Sequence, residues 1–157
     1  DMNIPLLFTF SDRIVGLGFS AIVTSYGRVL AVDEGDGEVW IYGVEPGAMA
    51  ASGSDPKEAL EAFRQTFANV LRDFAVECRT FAEFDEAIGQ FFGSVNEPNE
   101  RDWQAAVAAV RAGEVQIPTM RQEPAESRRF VQVREERAEP VQDFAVRGSE
   151  ITTTVAA

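Results

Sequence analysis

The residues of this sequence that could do chemistry are mainly carboxylates. Asp33, Glu34, Asp36 and Glu38 fall close together and alternate with glycines in the segment DEGDGE. Closely spaced carboxylates are typical ligands of hard cations, although the spacing does not match an EF-hand calcium loop. Asp-Gly pairs are equally typical of a tight β-hairpin turn. Asp33, Asp36 and Glu38 are therefore candidate metal ligands, but we prefer to interpret them as solvated turn residues.

Other catalytic groups are scarce. The sequence has no histidine, which removes the commonest general base and the commonest metal ligand. Cys78 is the single cysteine, so neither an intramolecular disulfide nor a thiolate metal cluster can form. Its position after an apolar stripe predicts a buried or half-buried thiol. Asp85 and Glu86 lie on neighbouring faces of a predicted helix, where we expect both to be exposed. We predict no catalytic residue and no cofactor.

Composition limits the classes of partner. The 157 residues are 45% apolar, enough for one real core, and the formal net charge is −12. An acidic surface disfavours binding to nucleic acid, which depends on lysine and arginine, and suits a basic protein partner. No stretch is apolar enough to cross a bilayer, and no segment resembles a signal peptide, so we expect a cytoplasmic location with no membrane association.

Alternating apolar residues predict an antiparallel sheet of three to five strands. The segments Arg28 to Asp33 and Glu38 to Val44 flank the acidic turn as a β-hairpin. Pro46-Gly47 then bends the chain, and the small residues from Ala48 to Ser52 predict a third strand. Earlier apolar runs add one or two strands, and these runs are Ile4 to Phe10 and Phe19 to Ser25.

One long helix follows the hairpin. Asp55 is placed to cap it, Pro56 suits the first helical position and Glu58 completes a capping box. An apolar stripe then recurs at helical spacing, formed by Leu60, Phe63, Phe67, Val70, Leu71 and Phe74. This stripe predicts that one face of the helix packs on the sheet.

Two shorter helices are predicted next. Thr80 and Glu83 form a second capping box, followed by an apolar face that ends near Gly93. A third helix is expected to begin near Pro98, with Trp103 on its apolar side. The short connection favours an αα-hairpin of these two helices. We reject a DNA-reading helix-turn-helix because acidic residues flank the few arginines of the third helix.

The segment after Glu114 differs in character, since prolines interrupt it and charges of both signs are dense. The alternation from Phe130 to Arg134 predicts one late strand in an otherwise extended arm. We therefore divide the α+β chain into a domain over 1–113, with a helical extension, and an arm over 114–157. Such an arm could pack on a partner subunit.

Residues 27–75 resemble the HicB-like antitoxin family. The resemblance rests on the segments DEGDGEVWIYGV, EPG, AMAASG and SDPKEAL, in that order. It implies a partial ribonuclease-H-like fold, with three antiparallel strands and a helix across one face. It also implies a protein that masks a small basic ribonuclease toxin. Typical members add a DNA-binding module, and nothing after Glu114 supplies one here.

Two classes of function follow. The first is a noncatalytic protein-interaction module, expected to be a homodimer, which resembles a toxin-masking antitoxin without an evident DNA-binding domain. The alternative is a small acidic enzyme or metal-binding protein that uses carboxylates only.

Overall fold

The computed structural model describes residues 2–127, 129–136 and 148–157, which form a mixed α+β fold with one seven-stranded sheet and three helices. The strands are β1 Met2–Val15, β2 Ser20–Asp33, β3 Val39–Glu45, β4 Ala50–Gly53, β5 Gln122–Glu123, β6 Phe130–Glu135 and β7 Glu150–Ala156. The helices are α1 Pro56–Glu77, α2 Phe81–Phe92 and α3 Glu97–Arg111. The predicted sheet of three to five strands was too small.

The sheet follows the order β4-β3-β2-β1-β7-β5, and β6 also pairs with β2. All the pairings are antiparallel except that of β5 with β7. Strand β2 is long enough to hold two partners on one side: its residues 28–33 pair with β3 and its residues 21–26 with β6. The long hairpin of β1 and β2 is therefore the centre of the sheet.

Strand β1 runs through the polar residues at which the sequence pattern suggested that it ends. Ser11 and Asp12 pair with Thr24 and Val23 of β2, and the ladder continues to Val15. Local polarity did not end the strand because the partner strand is equally long and supplies hydrogen bonds along its whole length.

Helices α1 and α2 cover one face of the sheet, which we call the α1 face. Phe8 and Phe10 of β1 meet Phe63 and Phe67 of α1, with Phe10 and Phe67 stacked at 4.4 Å between ring centroids. Phe84 of α2 joins the same buried cluster. Phe63, Phe67, Leu71 and Phe74 of the predicted stripe therefore pack on this face, whereas Leu60 and Val70 are half-buried and lie outside the cluster.

Helix α3 covers part of the opposite face, which we call the α3 face. Trp103 and Val107 of α3 are buried against Leu7 and Leu30, whose side chains alternate away from the α1 face. Because α2 and α3 pack on opposite sides of the sheet, the predicted αα-hairpin is not confirmed.

The loop between α2 and α3 passes the end of β3 and is tied to it. The amide of Asn96 donates to the Val44 carbonyl at 3.0 Å, and the Gly47 amide donates to the Ser94 carbonyl at 2.7 Å. These bonds direct the chain from one face of the sheet to the other, and the sequence pattern of a short connection could not show this.

The last described strands pair within the same sheet. The late strand predicted at Phe130 to Arg134 is present as β6, and β7 pairs with β1 from Leu6↔Val155 to Ser11↔Glu150. The expected extended arm is not confirmed for the described residues. Residues 137–147 of that arm lie outside them, and packing on a partner subunit stays a prediction.

Candidate functional site

The acidic hairpin carries local structural roles. A carboxylate oxygen of Asp33 accepts from the Gly35 amide at 2.9 Å, and one of Asp36 accepts from the Glu38 amide at 3.1 Å. Gly35 and Gly37 have positive φ angles of 78° and 90°. Such Asx turns explain why Asp alternates with Gly here. Within the part of the chain that the structure describes, no group of three or more potential ligands could hold a metal ion.

The hairpin lies beside the first turn of α1, because Val39 pairs with Gly53 immediately before the helix. Asp55 caps α1 by accepting from the Glu58 amide at 2.8 Å, and Glu58 accepts from the Ser54 amide at 3.3 Å. Together, residues 33–38 and 54–58 contain six carboxylates and one lysine, and all of them are exposed. We call this region the acidic end.

An apolar cavity of about 270 Å³ opens at the acidic end, between α1 and strands β1 to β3. Asp33, Pro56 and Lys57 are exposed and mark its mouth. The other lining residues are mostly apolar: Ile4, Leu6, Ala31, Val39, Ile41, Leu60, Met120 and Thr153. Leu60, at the start of the α1 stripe, is half-buried and lines the cavity.

A second group of interacting side chains lies on the α3 face around Trp103. The indole is fully buried and donates to the Leu6 carbonyl at 3.3 Å. The guanidinium carbons of Arg28 and Arg129 lie 5.1 and 5.3 Å from the centre of the ring. Both distances are within the range of a cation–π interaction.

The two arginines differ in how their charge is balanced. Arg28 pairs with Glu45 at 3.1 Å and also with Glu100. Burial would raise the pKa of Glu100, but hydrogen bonds from Arg28 and Gln104 outweigh burial, and its pKa is lowered. Arg28 is therefore neutralised by two carboxylates.

Within the part of the chain that the structure describes, Arg129 donates to two neutral acceptors, the backbone carbonyls of Ala125 and Ser127. Among the described residues, no carboxylate lies within 4.0 Å of its guanidinium, and its Nε atom is buried without an acceptor. Burial, followed by the nearby charge of Arg28, lowers the pKa of Arg129.

Next to Arg129 is a small pocket of about 100 Å³, which we call the hydroxyl pocket. Strand register brings its hydroxyl groups together, since Thr9 of β1 pairs with Tyr26 of β2 and with Thr152 of β7. The complete lining is Leu7, Phe8, Thr9, Tyr26, Gly27, Glu123, Ser127, Arg129, Thr152 and Thr154.

Sequence reasoning missed this second site. The spacing of Trp103 predicted only a buried position, and neither Arg28 nor Arg129 belongs to a motif. These residues converge only through the packing of α3 on β1 and β2. Two simpler expectations agree with the structure: Asp85 and Glu86 are exposed, and Cys78 is buried, with its thiol pKa raised first by burial.

Comparisons of the chain with protein families, with curated proteins and with solved structures found no match. Among the described residues, no helix combines the length and apolar character that a membrane span requires.

Proposed function

We propose that the protein is a noncatalytic binding module that presents its acidic end to a basic protein partner, one of whose apolar side chains enters the cavity. The observation that carries the proposal is the position of the cavity. A largely apolar space of about 270 Å³, lined at its mouth by the exposed Asp33 and Lys57, opens at the acidic end.

The acidic end has the two parts of a typical protein-binding surface. Binding energy at interfaces comes mainly from a few side chains that fill apolar pockets near the centre. Charged groups around such a pocket add little affinity, but they speed the encounter with a partner of opposite charge. The carboxylates of the acidic end outnumber its single cation, Lys57, so this surface favours a basic partner.

The resemblance of residues 27–75 to HicB-like antitoxins supports the same class of partner. It suggests a small basic ribonuclease toxin whose surface is masked, which requires complementarity and no catalysis. A cytoplasmic location would suit this function and is part of the proposal.

Two variants test the role of the acidic end. Replacing Glu34 and Glu38 by lysine reverses two charges and leaves the turn bonds of Asp33 and Asp36 in place. Replacing the buried Ala31 by isoleucine adds volume inside the cavity. We expect each change to weaken the partner complex by about tenfold or more. The measurement is surface plasmon resonance with the partner that the unmodified protein captures from its own organism.

A matched control reverses two charges elsewhere, by replacing the exposed Asp85 and Glu86 of α2 with lysine. This control variant should bind the partner with almost the affinity of the unmodified protein. For the unmodified protein, the association rate should fall as salt is added, because salt screens the charges of the acidic end. A captured partner that is not basic would refute the proposal. The same conclusion would follow if the Ala31→Ile variant were folded and bound the partner with unchanged affinity.

A homodimer is part of the proposal. The outer edge of β6 has no strand partner in the described residues, and an open strand edge can pair with a second copy. Light scattering of the purified protein should give twice the 17.2 kDa mass of one chain. A proline in place of Gln132 should reduce that mass to one chain if β6 forms the contact, and an unchanged mass would place the contact elsewhere.

The carboxylate-only enzyme has no comparable observation in its favour. Such an enzyme needs carboxylates that converge on one point, whereas Asp33 and Asp36 each bond to the backbone of their own turn.

A further inference from the structure

Among the described residues, Arg129 forms no direct ion pair. Glu45, Glu100 and Glu126 are close enough to favour its charged form. Each is already engaged in an ion pair, because Glu45 and Glu100 pair with Arg28 and Glu126 pairs with Arg111. A guanidinium has five N–H donors, and the described contacts of Arg129 use one on each of two nitrogens, both to neutral carbonyls. A partly buried guanidinium that pairs directly with no carboxylate is costly, so a bound anion would stabilise this region.

The position of Arg129 is held firmly enough for recognition. Its guanidinium stacks on the buried ring of Trp103, while its bonds to Ala125 and Ser127 anchor it to the loop before β6. A planar guanidinium that is fixed in this way matches the two oxygens of a carboxylate. Preorganisation of this kind lowers the entropic cost of binding.

The hydroxyl pocket supplies the other donors. Tyr26, Thr9 and Thr152 form one row across three neighbouring strands, and Thr154 lies beside Leu7 in the next row. Hydroxyl groups can donate to an anion and need no rearrangement of the backbone. The volume of about 100 Å³ limits the ligand to a small group.

Glu123 also lines the pocket, and its charge restricts the class of anion. A second negative charge close to Glu123 would be repelled, the more so in a protein of net charge −12. A group with one negative charge gains the attraction of Arg129 with the least repulsion.

We propose that the hydroxyl pocket binds the carboxylate of a small molecule, held by Arg129 and by the hydroxyls of Thr9, Thr152 and Thr154. The site lies on the α3 face, away from the acidic end, and does not depend on the proposed protein partner.

The test is a titration with acetate and, separately, with inorganic phosphate at constant ionic strength. Fluorescence of Trp103 reports binding in a Trp40→Phe background, which removes the other tryptophan. Acetate should bind saturably in the millimolar range and raise the melting temperature. Phosphate should bind more weakly once it has lost its second proton, because the dianion carries two negative charges close to Glu123. Tighter binding of the phosphate dianion would overturn the choice of a carboxylate, and saturation by neither anion would overturn the site.

Variants distinguish recognition from general charge. Arg129→Gln should weaken acetate binding by about tenfold or more, and Thr152→Val by about threefold to tenfold, since a charged donor contributes more than a neutral one. The matched control is Arg121→Gln, which removes an exposed arginine of the same segment and should leave binding unchanged.

For Glu123→Gln we predict the opposite change in affinity. It should tighten acetate binding because it removes the repelling charge. If Glu123 were instead the natural counter-charge of Arg129, this variant would lower the melting temperature and would not tighten binding. That result would overturn the proposal even if Arg129→Gln failed to fold.

Discussion

At the scale of single residues, the fold buries the Asp12 carboxyl group and thereby destabilises its charged form. It lies on the α1 face of β1, between Phe10 and Ile14, with only 3% of its side chain exposed. Arg72 is 3.4 Å away and opposes the effect, but burial is the larger influence and raises the pKa of Asp12 above its ordinary value of 3.8.

We predict that Asp12→Asn is more stable than the unmodified protein at neutral pH, by on the order of 1 kcal/mol. The folded protein holds the Asp12 proton more tightly than the unfolded chain does. The unmodified protein therefore loses stability as the pH rises through the folded-state pKa. The advantage of Asp12→Asn should vanish below the ordinary pKa of 3.8. Urea unfolding at several pH values measures it.

The exposed Asp73 provides the control, since Asp73→Asn should change the stability at neutral pH by less than about 0.5 kcal/mol. If Asp12→Asn were the less stable protein at neutral pH, the ion pair with Arg72 would outweigh the cost of burial.

At the scale of elements, α1 approaches β4 closely because Gly53 of β4 has no side chain. A Cβ atom on Gly53 would lie 2.4 Å from the backbone nitrogen of Ala59, in the first turn of α1. Backbone atoms cannot turn aside as a flexible side chain can. Gly53 therefore allows the helix to begin directly over the edge of the sheet, where it forms one wall of the apolar cavity.

We predict that Gly53→Ala lowers the free energy of unfolding by about 1 to 3 kcal/mol, because α1 must shift away from β4. Gly89→Ala should do the opposite. Gly89 lies inside α2 with no atom within 4 Å of its added Cβ, so alanine should stabilise the helix by about 0.5 to 1 kcal/mol. Thermal and urea unfolding of the two variants measure both effects. Equal stability of Gly53→Ala and the unmodified protein would show that α1 is free to move.

At the scale of the whole molecule, strand β1 joins the beginning and the end of the described chain. It pairs with β2 on one side and with β7 on the other. Val155 of β7 is 1% exposed and packs in the same cluster as Phe63 and Phe67. We expect contacts across so great a separation in sequence to make folding slow and cooperative.

We predict that Val155→Ala destabilises the entire protein by about 1 to 3 kcal/mol and leaves a single unfolding transition. Val76→Ala is the control, because Val76 is 72% exposed at the end of α1 and should change stability by less than about 0.5 kcal/mol. Circular dichroism and tryptophan fluorescence should give coincident transitions. If Val155→Ala had no effect, β7 would be an independent arm.

Local features of this fold were predictable from the sequence because their causes are local. The cap at Asp55, the acidic hairpin turn and the stripe on α1 each depend on residues within a few positions of one another. The alternation that predicted β6 is of the same kind. The buried position of Trp103 also followed from its spacing in α3.

The sites depended on tertiary structure. Neither the apolar cavity nor the row of Tyr26, Thr9 and Thr152 has a signal in the order of residues. Strand register forms the row, and the packing of α1 on strands β1 to β3 encloses the cavity. Sequence periodicity states that a helix or strand has an apolar face, but not which surface that face will meet. For this reason the face chosen by α3, the place of β7 beside β1 and the meeting of Arg129 with Trp103 were decided only when the chain packed.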